Sequence, residues 1–401
     1  MINKKEIHTG NFEWDGTDAW IICSYTNMLF KYEFLNAEYK FVALLPENGI
    51  AHYDFHSKCV KYKMKVFCLP NRGNNIYIYD LTINKFREIG LQNLDGNRIN
   101  LDKLEVEDHI LYTISYGMKQ IIIIDLETEK IINRYSITEC DCTLYKAIKC
   151  GDIVYAISDE KSVLWQCDLK QSTIKRINLL NDSAIEECGF TTIACVEGQL
   201  WLSGYNNKIY IFNRRKEILE RYIELPDDLR IYDFINSNTI YKNKDKNDFY
   251  FYDCAVFDNT VWFIPYQTNK ILYVKVTDNV IREFYIEGEE ETDYSLNRVT
   301  KRKYEIVKKD KEGQLVLKSY KNSCNYIIDT TDQTMKRRSN NVLYSNLEKI
   351  WKEYGMHNIN FLEEIAVDNI MYSYGIVNNV SRNRLNEKTS IGSKIYSYIC
   401  S

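Results

Sequence analysis

The chain has 401 residues, 45% of them apolar and 27% charged, with 52 basic against 56 acidic side chains and a formal net charge of −4. This is the composition of a globular protein, and without a basic excess it excludes one that holds nucleic acid mainly through phosphate contacts. No apolar run approaches the roughly 18 residues of a membrane-crossing helix, and the opening MINKKEIHTGNFEWDG lacks the apolar core of a secretion signal. The expectation is therefore a cytoplasmic protein whose partners include neither nucleic acid nor a membrane.

In chain order, short apolar strands recur with the same punctuation. They are AWIIC at 19–23, VFCL at 66–69, ILYTI at 110–114, IVYAI at 153–157, QLWLS at 199–203, TVWFI at 260–264 and QLVLK at 314–318. Polar or glycine turns such as DGTD, VEDH, KCGD and VEGQ precede them. A second apolar run follows each, with endings such as YIYD, IIID, WQCD, YIFN and YIID. Aligning the turns after those endings gives Glu33, Asp80, Asp125, Asp168, Asn213, Lys275 and Asp329, spaced 43 to 62 residues apart. Four strands with tight turns occupy about 40–50 residues, the size of a propeller blade. The two longest intervals hold the polar insertions YKNKDKND at 241–248 and GEEETDYSLNRVTKRK at 288–303.

Seven units fit, and the fold expected is all-β: a seven-bladed β-propeller over residues 1–340, with six or eight blades as the open alternatives. One four-stranded sheet with two apolar faces does not stay folded alone; stacking blades in a ring buries both faces of each. The last strand of the seventh unit, near MKRRSNN, is poor in apolar residues, so residues 3–9 are a candidate to complete that blade.

After residue 340 the period breaks. Ser345 with Glu348 forms a capping box ahead of an apolar stripe of Leu347, Ile350, Trp351 and Tyr354, and Asn360 with Glu363 repeats the signal. A short C-terminal helical extension, 341–401, is expected to pack on the ring as a clamp or as a docking element. The twelve cysteines are irregularly spaced, many within apolar runs, and read as reduced core residues.

The units resemble the blades of bacterial kelch-like or quinoprotein-like β-propellers over about residues 11–338. The likeness is architectural: the sialidase Asp box, the serial Gly-His and Trp-Asp pairs of WD40 repeats and the double-glycine kelch signature are all missing. It implies a fold, and propellers host enzymes and inert scaffolds alike.

Candidate functional residues come from register. Five units carry Tyr at one equivalent place after the AWIIC-type strand: Tyr25, Tyr116, Tyr205, Tyr266 and Tyr320; units two and four have Asn71 and Asp159 there. Each lies 8 or 9 residues before the aligned turn position. In a propeller this turn joins the second and third strands on the face that also carries the connections between blades. Tyr there either packs each hairpin against its neighbour or offers contact area to a peptide, protein or glycan at low entropy cost. A second cluster is IAHYDFHSKC, where alternation puts His52, Asp54 and His56 on one face of a strand. Those are metal-ligand or acid–base residue types, but no fourth ligand can be named. Asp253, with Asp54, Glu186 and Glu187, gives an acidic channel mouth suited to a cationic or hydroxyl-rich ligand.

No phosphate loop, nucleophile elbow or paired zinc cysteines occur. The function expected is a non-catalytic binding scaffold for a protein, peptide or glycan, with no cofactor or metal assigned. The alternative is a propeller lyase or hydrolase centred on His52, Asp54 and His56.

Overall fold

A computed structural model describes residues 12–23, 27–35, 38–46, 55–91, 99–137, 140–179, 189–205, 207–229, 250–265, 270–286, 304–309, 313–319 and 324–339. Within them the chain forms seven four-stranded antiparallel sheets, each made of four consecutive strands. The blades run over 13–44, 56–90, 101–136, 144–178, 190–224, 251–284 and 304–339. The first strands of neighbouring blades touch from blade one to blade six, blades six and seven share an apolar cluster, and blade seven touches blade one, so the wheel is closed. Across that closing seam Asn325 Nδ2 donates to Tyr32 Oη at 2.9 Å, and Lys318 Nζ sits 5.9 Å from the Tyr39 ring centre.

The burial of each strand follows from its place. Third strands such as Asn75–Asp80 (NIYIYD) and Gln120–Asp125 (QIIIID) are buried on both faces, because a blade is sandwiched between two others. Their sequences are therefore continuous apolar runs. Fourth strands such as Thr173–Asn178 (TIKRIN) lie at the rim and are mostly exposed. The apolar residues gather into clusters that join adjacent blades, for example Trp201, Ile209 and Ile211 of blade five with Val261, Phe263 and Leu272 of blade six.

Blade seven corrects one sequence expectation. Its fourth strand is its own Thr334–Ser339, paired along its length with Cys324–Asp329. The polar MKRRS needed no donor, because rim strands are polar in the other blades as well. Residues 3–9 and the 341–401 extension lie outside the described residues, as do the insertions at 241–248 and 288–303.

In blades two, three, four, five and seven the aligned turn position forms an Asx turn. Asp125 Oδ1 accepts from Glu127 N at 2.8 Å and Thr128 N at 3.0 Å; Asp168, Asn213 and Asp329 repeat the pattern. Four residues on, the chain enters the left-handed region at Asn84, Glu129, Ser172, Glu217, Asn279 and Gln333, with φ between 53° and 57°. This combination, an Asx side chain followed by a left-handed residue, closes the hairpin between third and fourth strands. The same turns are bonded to the first-to-second turns, as in Leu126 N to His109 O and Leu169 N to Asp152 O. Both kinds of turn thus lie at one end of the wheel, here the lower end. The second-to-third turns lie at the upper end.

Candidate functional site

The upper end is built by backbone contacts that run from blade to blade. Asn100, which leads into blade three, donates its N–H to Asn71 O at 3.1 Å, and its carbonyl accepts from Tyr116 N at 3.3 Å. Asn71 and Tyr116 are two of the seven register-equivalent turn residues, so both of these turns are tied to the lead-in of blade three. At the junction of blades four and five the same chain of contacts is tighter. A Cβ on Gly189, the lead-in to blade five, would sit 1.9 Å from the carbonyl carbon of Asp159; one on Gly204 would sit 2.0 Å from Gly189 O. Only glycine admits that approach.

A serine ahead of the turn residue shapes the second-to-third turn. Ser158 Oγ accepts from Glu160 N at 3.0 Å and Lys161 N at 3.3 Å, and Ser115 Oγ accepts from Met118 N at 3.2 Å. Ser115, Ser158, Ser203 and Ser319 are all fully buried. The repeated serine is legible in SYGMK, ISDE, LSGY and SYKN.

Of the five tyrosines, Tyr116 and Tyr205 fall within the described residues. The Tyr116 ring is buried in the cluster between blades three and four, with Ile114, Cys142 and Leu144. Its hydroxyl donates to Asp102 Oδ2 at 3.3 Å. Burial, then the charge of Asp102, pushes the phenol well above its ordinary range. Tyr116 therefore serves the packing of its blade, with its hydroxyl held on Asp102. Tyr205 is partly exposed at the corresponding turn of blade five. Tyr25, Tyr266 and Tyr320 follow the second strands of blades one, six and seven, outside the described residues.

The first strands of blades two, four, five and six share an irregularity that the sequence did not announce. Each has a β-bulge at its upper end, falling between His56 and Lys58, Leu144 and Lys146, Phe190 and Thr192, and Phe251 and Asp253. A bulge re-aims the residues beside it. Here those include Lys58, Lys146 and Asp253, and they form ion pairs around the axis. Lys58 Nζ lies 2.8 Å from Asp102. Lys146 Nζ reaches past blade five to Asp253 Oδ1 of blade six at 2.7 Å, and bonds the Tyr252 carbonyl as well. Thr191, on the intervening blade, bonds the Phe251 carbonyl at 2.8 Å.

Deeper pairs continue the pattern. Lys103 of blade three meets Glu13 of blade one at 2.6 Å, passing blade two. Burial raises the Glu13 carboxyl, and Lys103 opposes the rise. Lys149, almost fully enclosed, lies between Glu105 and Glu107. The throat is thus lined with paired charges of both signs. Asp253, one of the residues expected to make the mouth acidic, is paired with Lys146; Asp54, Glu186 and Glu187 lie outside the described residues.

His56 points into its blade. It is fully buried, its Nε2 is 3.0 Å from the Asn75 carbonyl, and its ring lies 5.1 Å from that of Tyr77. A carbonyl only accepts, so Nε2 carries the proton and the neutral ring holds a lone pair at Nδ1. Burial lowers its pKa to about 4, the Asn75 carbonyl partly countering the fall. His52 and Asp54 lie outside the described residues. Among the described residues no group of three or more His, Cys, Asp or Glu is placed to hold a metal ion. Cys140 and Cys142, their sulfurs 3.8 Å apart, are buried in the apolar cluster between blades three and four.

No family model and no curated protein matches the chain. Solved structures match its fold. A computationally designed protein, Ika8, superposes with a TM-score of 0.52 at 8% identity, covering 84% of this chain and 88% of the other. A chain of the mitotic checkpoint complex does so with a TM-score of 0.50 at 9% identity, covering 84% and 88%. PorZ, an essential bacterial surface component of the type-IX secretion system of Porphyromonas gingivalis, gives 0.53 at 11%, with 83% of this chain and 38% of PorZ covered. At such identities the likeness concerns the fold, and three such different proteins share it.

Proposed function

We propose that this chain is a non-catalytic binding propeller that takes a protein or peptide segment on its upper end. The observation that carries the reading is the throat, where Lys58–Asp102 and Lys146–Asp253 lie at the mouth with side chains 19–30% exposed. Half-exposed pairs of both signs present donors and acceptors to a polypeptide without the cost of a lone buried charge. The second-to-third turns belong to the same end; Tyr116 and Tyr205 stand in two of them, and the sequence puts Tyr25, Tyr266 and Tyr320 at the equivalent places of three more. An aromatic rim about a polar centre is the pattern of many peptide-binding surfaces. A chain of similar fold belongs to the mitotic checkpoint complex, which supports this reading.

The test compares the wild type with a Tyr205→Ala, Tyr266→Ala double variant as baits in extract of the native cell, with quantitative mass spectrometry. One or more proteins should fall about tenfold or more in the variant, a loss of ~1.4 kcal/mol or more in binding. Its melting temperature should stay within a few degrees of wild type. Identical captures would refute the reading, and a collapsed melting transition would assign these tyrosines to blade packing.

A further inference from the structure

The lower end holds a second cluster that the binding reading does not use. Cys150 closes the first strand of blade four and Cys195 lies one residue from the end of the first strand of blade five, in neighbouring inner strands. Cys150 is buried in the apolar cluster between blades four and five and Cys195 packs against that cluster, near enough for each sulfur to act on the other. Arg214, beginning the Asx turn of blade five, reaches back to both residues: Nη1 lies 3.4 Å from Cys195 Sγ and Nη2 donates to Cys150 O at 2.9 Å. Its guanidinium is held over the Tyr155 ring, 5.2 Å from the centre, and its own N–H is fixed on Gly198 O at 3.1 Å.

The other close cysteine pairs are built differently. Cys59 and Cys68 face one another across two strands of blade two and are buried, as are Cys140 and Cys142. None of those four has a cation bonded to its sulfur among the contacts described. Of the ten described cysteines, Cys195 alone is not fully buried. The Arg214 guanidinium at 3.4 Å from its sulfur favours the Cys195 thiolate, whereas burial pushes the Cys150 thiol upward. Cys195, the more accessible of the two and the one beside the guanidinium, is placed to attack, and Cys150 to follow.

We infer that Cys150 and Cys195 form a reversible dithiol–disulfide switch at the lower end, oxidised by hydroperoxides through Cys195. The Cys195 thiolate attacks the terminal peroxide oxygen; an S–O bond forms, the O–O bond breaks, and the alcohol or water leaves with a proton. Cys195 is then a sulfenic acid. The Cys150 thiol attacks the Cys195 sulfur, an S–S bond replaces the S–O bond, and the hydroxyl leaves as water with the Cys150 proton. Two thiols lose two electrons in total and one hydroperoxide gains them. The closed form ties the inner strands of blades four and five together at the end opposite the tyrosine turns.

Reduced full-length protein is exposed to equimolar hydrogen peroxide, alkylated and mapped by mass spectrometry. A Cys150–Cys195 cross-linked peptide that dithiothreitol removes is the expected result. In the reduced protein Cys195 should react with iodoacetamide about tenfold faster than the buried cysteines. Arg214→Gln should slow that reaction about fivefold, and Cys150→Ser should leave a sulfenic acid at Cys195 that dimedone traps. A disulfide from Cys195 to any other cysteine, or a sulfenic acid at Cys195 in the wild type beside a still alkylatable Cys150, overturns the proposal. So does a Cys195 that reacts no faster than the rest.

Discussion

The two ends of the wheel are organised on different terms. At the lower end most blades repeat one device, an Asx side chain with a left-handed residue four places on, and each hairpin is closed by its own atoms. At the upper end a turn is finished by the next blade's lead-in, and the bulged strands send charges past a neighbour to a blade two places away. The lesson is that local hydrogen bonding suffices to repeat a module, while contacts between modules make one end individual. Individual contacts are where a surface acquires a partner.

Three experiments sharpen this contrast. The largest effect is expected from alanine at Gly189, where the new Cβ collides with the Asp159 backbone: overpacking against main chain should cost about 3 kcal/mol or more. The same change at Gly151 on the lower end meets nothing within 4 Å and strains only its φ of 65°, so about 1 kcal/mol is expected. Urea unfolding of both variants measures the difference; equal losses would erase the distinction between the ends.

Acid gives the next effect. His56 has a folded pKa of about 4 against an ordinary 6.5, so the folded state resists the proton that the unfolded chain accepts. Its contribution is complete above pH 6.5 and is lost as pH falls towards 4, on the order of 3 kcal/mol in all. His56→Gln should flatten that part of the stability–pH curve; an unchanged slope would show that His56 does not set it.

Smaller still is Lys103→Met, which strands the Glu13 carboxyl in the channel. Because Lys103 is 33% exposed, a loss of about 2 kcal/mol is expected, below that of a fully buried pair. Adding Glu13→Gln should restore most of it, which a double-mutant cycle reads directly.

The architecture was legible because burial in a propeller follows strand position. Continuous apolar runs such as QIIIID mark the sandwiched third strands, and Asp80, Asp125 and Asp168 recur because an Asx turn needs a short acceptor at one offset. The throat was not legible. Lys103 and Glu13 are 90 residues apart and Lys146 and Asp253 are 107 apart, and no local pattern encodes which blades face each other across an axis. The bulges that aim these side chains leave no composition signal either. His56 shows the complementary limit: alternation set it on a face with His52 and Asp54, while the fold turns its ring onto the Asn75 carbonyl.

Among the described residues each blade owns all four of its strands, and the seam between the seventh and the first is joined by side chains such as Asn325 and Tyr32 rather than by a shared ladder. The circle consequently has no privileged starting point. In topology the ring could be opened between any two modules without dividing a sheet.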